Sequence, residues 1–298
     1  MVELKGGMLE KHLDHSMLSP SEKPTDPLSL LLNNLVPQTD KVEKQIYWAA
    51  DHYNLNQSSL YNSLSNEKKY ETVLRLNQWS LELIYFIEKF GLNYGAKMIQ
   101  LSETEQEKSL YSLFAGDEVR HRRMIEPYLL SGQPEDITIH PLLSSLSQCL
   151  KEGSKEAMTF TIQVILEGFG LMHYTHLKNS CLNEDLTQIF SSILQDEVNH
   201  HGMGVILTKK SKLNSTDKNQ IVELTKLFIN SLIHANWVEK SLDQSSGGMN
   251  KSDKSRLREE IQWEKSQSIK VNKLSELITK VGQKGILQKM EEQQVFSL

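Results

Sequence analysis

Two cysteines, Cys149 and Cys181, are all the chain contains. That is too few for a disulfide framework, and they form no Cys-x-x-Cys pair for a metal or a redox couple. No apolar run approaches the roughly 18 residues that a bilayer-spanning helix needs. Met1 to Gly7 lack the apolar core of a secretory signal, so secretion is not indicated. Positive charge is not in excess: 33 Lys and Arg stand against 38 Asp and Glu, a net charge of −5, which gives no reason to expect a nucleic-acid partner. A flavin fingerprint is also missing. These absences lead us to expect a soluble, non-membrane protein of a reducing cytoplasm. A content of 38% hydrophobic and 24% charged residues suits a helical one.

The informative feature is a repeat. Asp-Glu-Val-x-His occurs twice, as Asp117 to His121 and as Asp196 to His200. Glu88 precedes Glu118 by the same 30 residues by which Glu167 precedes Glu197, and the two sets are offset by 79 throughout. The upstream glutamates share their local wording, Glu88-Lys89-Phe90-Gly91-Leu92 and Glu167-Gly168-Phe169-Gly170-Leu171. A duplicated helical hairpin with three potential metal ligands per copy is the economical explanation. Residues three apart lie on nearly one helix face, so Glu118 with His121, and Glu197 with His200, can point two ligands at one target. An upstream glutamate on an antiparallel partner helix reaches the same height only if the turn falls near residues 103 and 182. Ser102 and Glu105 read as a Ser-x-x-Glu helix start at the first, and Asn179 to Asn183 form a polar interruption at the second. Each arm is then about 15 residues, roughly 22 Å.

With ten histidines in the chain, one isolated Glu-x-x-His is unremarkable, but two in register with two matched glutamates are not. A glutamate from each of two helices plus Glu-x-x-His from each of the other two is the di-iron or di-manganese constellation of helical bundles. On Glu88, Glu118, His121, Glu167, Glu197 and His200 the chain resembles the ferritin-like superfamily, over about residues 66–210. The resemblance implies an all-α, ferritin-like four-helix bundle built from two duplicated hairpins, with additional N- and C-terminal helices. It implies that those six residues hold two iron ions, or manganese with iron, and carry the catalysis. It also implies that Asp117 orients His200 and Asp196 orients His121 from opposite helices. Hard carboxylates with only two imidazoles suit iron or manganese better than zinc. The expected function is an oxygen-dependent oxidoreductase that oxidises a small organic molecule by hydroxylation, N-oxygenation or oxidative cleavage. Its electrons come from an external reductase, ferredoxin or chemical reductant. Glu118 and Glu167 or their partners bridge the ions, and the sequence does not say which. The alternatives are a rubrerythrin-like peroxide or iron-oxidising protein, weakened by the missing rubredoxin-type cysteine pairs and the long flanks, and an iron storage or binding protein.

Gly91, Gly168 and Gly170 lie within a turn of the ligand glutamates, where a mid-helix glycine costs about 1 kcal/mol relative to alanine. They read equally as room for dioxygen or substrate and as close helix packing. Tyr85, Tyr94, His173 and Tyr174 fall on or near the same faces, with His173 read as an interior histidine rather than a seventh ligand. His176, His201, Glu82 and His234 are weaker candidates. Pro20, Pro24, Pro27 and Pro37 suggest that residues 1–39 form an irregular arm. Residues 40–245 form the bundle, and residues 246–298 a helical extension packed on it or on a partner in a homodimer. Val42, Ile46, Tyr47 and Ala50 predict a helix from about Asp40. Further helices are expected over about 67–101, 103–130, 141–151, 154–179, 183–209, 216–243 and 251–296.

Overall fold

Pro27 opens the first helix, α1 (Pro27–Leu35), because its missing N–H is not needed in a first turn. Asp26 caps it, accepting from the Leu28 N–H at 2.8 Å. The computed structural model describes residues 26–130, 141–233, 236–281 and 284–296. Most of the expected irregular arm therefore lies outside the described residues, and the part within them contains a helix.

The helix expected from Asp40 does not form. Residues 36–49 are non-helical and lead into two 3₁₀ turns, Ala50–Tyr53 and Leu55–Gln57. The buried Asn77 side chain is the reason: its Oδ1 accepts from the backbone N–H of Tyr47 at 2.6 Å and of Trp48 at 2.9 Å, and its Nδ2 donates to the Trp48 carbonyl. A side chain has replaced the i→i+4 ladder, and the fully buried Tyr47 and Trp48 are pinned by it.

After α2 (Ser59–Ser63) comes the 36-residue α3 (Asn66–Leu101), capped by Ser65. The turn at 102–104 leads to α4 (Glu105–Ile125). The cap differs from the expected Ser102/Glu105 pair. Ser102 turns its hydroxyl back to the Met98 carbonyl, while Thr104 accepts from the Glu107 N–H and the Glu107 carboxylate accepts from the Glu103 N–H. A 3₁₀ turn at Glu126–Tyr128, containing Pro127, ends this arm. The later ending expected at Ser131 to Pro134 lies outside the described residues. The crossover α5 (Pro141–Glu152) precedes α6 (Lys155–Ser180), in which Thr159–Leu166 is wound as a π-helix between two α-helical stretches. Asn183 then caps α7 (Glu184–Lys210). The single helix expected over 216–243 is two, α8 (Ser215–Ile233) and α9 (Trp237–Ser246), the latter ended by Gly247 at φ 85°. Among the described residues the C-terminal extension contains three helices, α10 (Lys251–Glu260), α11 (Trp263–Val281) and α12 (Lys284–Glu292), with Gln262 in the left-handed region at φ 54° between the first two.

Among the described residues the fold is all-helical. The helix α3 packs along α4, α6 along α7, and α4 meets α7. The two turns, 102–104 and 181–183, fall at the midpoints that the repeat requires, so each upstream glutamate is level with its Glu-x-x-His. Buried Phe90, Phe114, Phe160 and Phe190 fill the space between the four helices, each contributing about 1.5–3 kcal/mol by burial. The helix α11 lies on α6 and α7, and α9 lies on α3, so the C-terminal elements wall one side of the duplicated core.

Candidate metal centre

The register of the two hairpins brings six side chains together: Glu88 from α3, Glu118 and His121 from α4, Glu167 from α6, and Glu197 and His200 from α7. Donor atoms of Glu88, Glu118, His121 and Glu197 lie within 4.8 Å of one another, as do those of Glu118, Glu167 and His200. His121 Nδ1 is 3.1 Å from Glu88 Oε2 and 3.5 Å from Glu197 Oε1. His200 Nδ1 is 3.4 Å from Glu118 Oε1 and 3.5 Å from Glu197 Oε2. Glu197 thus turns one oxygen toward each histidine, and Glu118 belongs to both groups. Glu88 and His121 flank this central pair on one side, Glu167 and His200 on the other.

Glu88, Glu118, His121, Glu197 and His200 are at most 4% exposed, so their charges meet in a dry place. Burial, and then the neighbouring carboxylates, push Glu118 and Glu167 well above the carboxylate range. Burial pushes Glu197 up to about 8. Burial alone raises Glu88 as well, but the hydrogen bond and charge of His121 outweigh it and hold Glu88 low. His121 is raised against its own burial by Glu88 and Asp196. Without cations such a cluster must hold protons. Two of its buried atoms, Glu197 Oε2 and His200 Nδ1, have no hydrogen-bond partner, at a cost of about 1–3 kcal/mol each. A cation between them satisfies both. Ligands about 2.1 Å from a metal and at right angles are about 3 Å apart, close to the donor separations found here. The residues fit a pair of divalent ions.

The outer nitrogens of the histidines face the opposite hairpin. His121 Nε2 lies 3.0 Å from Asp196 Oδ2, and His200 Nε2 lies 3.3 Å from Asp117 Oδ2, the cross-helix pairs expected. Arg120 Nη2 reaches both aspartates, at 3.0 Å to Asp117 and 2.6 Å to Asp196. Its counterpart in the second copy is Asn199, so a single guanidinium serves two carboxylates. Despite partial burial, His121 and Arg120 hold Asp196 below the usual range.

Two further residues break the repeat. Gln163, in the π-helical stretch, accepts at Oε1 from the hydroxyls of Tyr94 (3.1 Å) and Tyr111 (3.0 Å) and donates from Nε2 to the His200 carbonyl at 3.3 Å. Its counterpart is the apolar Ile84, so nothing in the repeat pointed to it. Tyr174, whose counterpart is Gly95, donates its hydroxyl to Glu88 Oε1.

The remaining sequence candidates stand outside both ligand groups. Burial and then Lys270 pull His173 down to about 3. His176 stacks on His52 with ring centroids 4.6 Å apart, His201 Nδ1 contacts the Gln163 carbonyl at 3.1 Å, and Tyr85 packs edge-on to Phe86. Glu82 is half-buried on α3 and His234 lies outside the described residues. The glycines divide between the two expected roles. A Cβ on Gly91 would lie 2.5 Å from the Glu118 carboxylate, and one on Gly168 would meet His201 at 2.9 Å, whereas Gly170 faces open space.

That space belongs to a cavity of about 350 Å³ whose lining includes Glu88, Glu118, Glu167 and Glu197 but neither His121 nor His200. The carboxylates therefore face the cavity and the imidazoles lie behind them. Its walls include Trp79, Leu83, Ile87, Phe169 and Trp237, and it extends to Gln267 and Lys270 of α11. Among the described residues, no helix is long and apolar enough to cross a membrane. Comparison with protein-family models, with curated proteins and with solved structures found no match to this chain.

Proposed function

We propose that this chain is a ferritin-like, dinuclear-metal oxidoreductase that uses dioxygen to oxidise a small organic molecule. Glu88 and His121 hold one ion, Glu167 and His200 the other, and Glu118 and Glu197 are shared. The sequence left the bridging glutamates open, and this assignment takes Glu118 with Glu197. When bound, two ferrous ions supply the electrons that dioxygen requires. A manganese and iron pair uses the same ligands.

The protein's own residues do the rest. Four carboxylates balance two divalent cations, and the protons held by the buried glutamates and His121 leave as the metals enter. Asp196 and Asp117 hold the Nε2–H of the histidines, which turns each Nδ1 lone pair inward. Tyr174 fixes the second oxygen of Glu88. The largely apolar cavity gives an organic molecule a place beside the carboxylate face.

The observation that carries this reading is the convergence of six donors from four helices, the four carboxylates among them lining a largely apolar cavity. That space favours this reading over a peroxide-consuming or iron-storing protein. Electrons come from an external donor, and the free cysteines Cys149 and Cys181 fit a reducing cytoplasm. The test is anaerobic loading with ferrous iron, metal analysis, and oxygen-uptake measurements with a reductant and a panel of organic compounds. We expect two irons per chain and uptake that depends on an organic substrate. A chain that takes up no metal overturns the centre, and iron oxidation indifferent to every organic compound overturns the oxygenase.

A further inference from the structure

Beyond the metal centre, the cavity lining includes a polar pair that the chemistry above does not use. Gln267 and Lys270, one turn apart on α11, both line it. Gln267 is 3% exposed, and its Oε1 is buried without a hydrogen-bond partner. Lys270 is half-buried and forms no ion pair among the described residues. The other cation lining the cavity, Arg258, is already engaged. It donates to Glu239 at 3.0 and 2.9 Å and lies over the Trp263 ring. With the four glutamates neutralised by cations, Lys270 is the uncompensated charge of the cavity.

We infer that the substrate is an organic anion, whose carboxylate head is bound by Lys270 and Gln267 and whose apolar body runs along the cavity to the glutamates. An ammonium in an apolar enclosure is costly unless paired, and a carboxylate is the pairing group that also accepts from an amide. The terminal torsion of a glutamine is broad and its two ends interchange by rotation. The Gln267 amide can therefore present an N–H beside Lys270. Burial lowers the proton affinity of Lys270, as expected of a cation lacking its partner.

The cavity also suggests the scale of the body. Lys270, His173 and Glu167 all line it, and His173 is six residues, about 9 Å, along the helix from Glu167. An extended octanoate is of this order. The apolar part of the lining, with Trp79, Leu83, Ile87, Phe169 and Trp237, suits such a chain.

The inference rests on the proposed oxidoreductase only for what happens at the glutamate end. The test is titration of the iron-loaded protein under anaerobic conditions with octanoate and with octanol, read by tryptophan fluorescence, in wild type, Lys270→Met and Gln267→Leu. A hydrogen-bonded ion pair predicts that wild type prefers octanoate by about tenfold or more. Lys270→Met loses that preference while keeping its affinity for octanol, and Gln267→Leu weakens it. Equal affinities in wild type overturn the inference. So does a preference that survives Lys270→Met, because the carboxylate is then held by the metals. If Lys270→Met fails to fold, Lys270→Gln makes the same comparison. Metal content measured on the same samples separates the two readings. A chain without metal that still prefers octanoate through Lys270 refutes the centre and leaves the anion site standing.

Discussion

Gly91 on α3 stands directly against Glu118 on α4: a methyl group in its place would lie 2.5 Å from both the carboxylate carbon and one oxygen. The glycine gives up about 1 kcal/mol of helix propensity and makes room for the ligand common to both groups. Gly91→Ala therefore displaces Glu118 and lowers bound metal, although alanine favours the helix. Gly170→Ala, at the equivalent position of the second copy, meets nothing within 4 Å; it keeps its metal and gains about 1 kcal/mol of stability. Metal analysis and thermal melts of the two variants check this. Full metal content in Gly91→Ala would refute the steric role.

Glu118 and Glu197 are central and the other four ligands flank them, so single substitutions remove metal unequally. Glu118→Gln depletes both ions. His200→Ala depletes the ion beside Glu167 and leaves the one beside Glu88 and His121. Metal stoichiometry by elemental analysis distinguishes these outcomes, and identical losses in the two variants would contradict the shared position of Glu118.

The aspartates differ in kind from the ligands because they act through the histidines. Asp196→Asn weakens metal binding by about 10- to 100-fold, measured by competition with a chelator. Asp117→Asn has the smaller effect, since its histidine contact is 3.3 Å against 3.0 Å. An Asp196→Asn variant with wild-type affinity would remove Asp196 from the site.

How much of this was legible in the sequence depends on whether a residue belongs to the repeat. The two copies keep one register, so the offset of 79 residues picked out all six side chains that the structure brings together, and Asp117 and Asp196 with them. Gln163, Tyr174 and Arg120 face Ile84, Gly95 and Asn199 in the other copy, and a departure from a repeat carries no periodic signal. Lys270 and Gln267 come from a helix outside the duplication, where only the three-dimensional packing brings them to the cavity. The helix expected from Asp40 failed for a different reason. The apolar spacing of Val42, Ile46 and Ala50 fits a helix face, but the Asn77 side chain, distant in sequence, takes up the Tyr47 and Trp48 backbone groups instead.

Proton occupancy of the cluster makes stability depend on pH and metal together. In the metal-free chain Glu118, Glu167 and Glu197 titrate above the value of 4.5 that they have when unfolded, Glu197 at about 8. His121 is raised as well. Over this window the folded chain holds more protons than the unfolded one, so its stability falls as pH rises. Bound cations replace those protons and remove the effect. Glu88, shifted down, titrates below the window. The gap in melting temperature between metal-loaded and metal-free protein therefore widens from about pH 5 to about pH 8, as scanning calorimetry with and without chelator will show. A gap that narrows would invert the assignment.

Asn77 offers a test of the fold independent of any metal. Its amide engages the Tyr47 and Trp48 backbone N–H groups, the Trp48 and Val73 carbonyls and the Tyr53 hydroxyl. Trp48 in turn donates from its indole to the Leu177 carbonyl at 2.9 Å, joining this loop to α6 ten residues beyond Glu167. Asn77→Ala leaves two buried N–H groups without an acceptor, at about 1–3 kcal/mol each, and Asn77→Asp restores the acceptor but not the donor. We expect Asn77→Ala to destabilise the chain by about 2–6 kcal/mol and Asn77→Asp by a different amount. Both retain the metal ligands, so metal stoichiometry in the folded fraction stays at the wild-type value. Chemical denaturation measures the first effect and elemental analysis the second. A loss below 0.5 kcal/mol, about what an exposed surface substitution costs, would show that the loop is held by packing rather than by these hydrogen bonds.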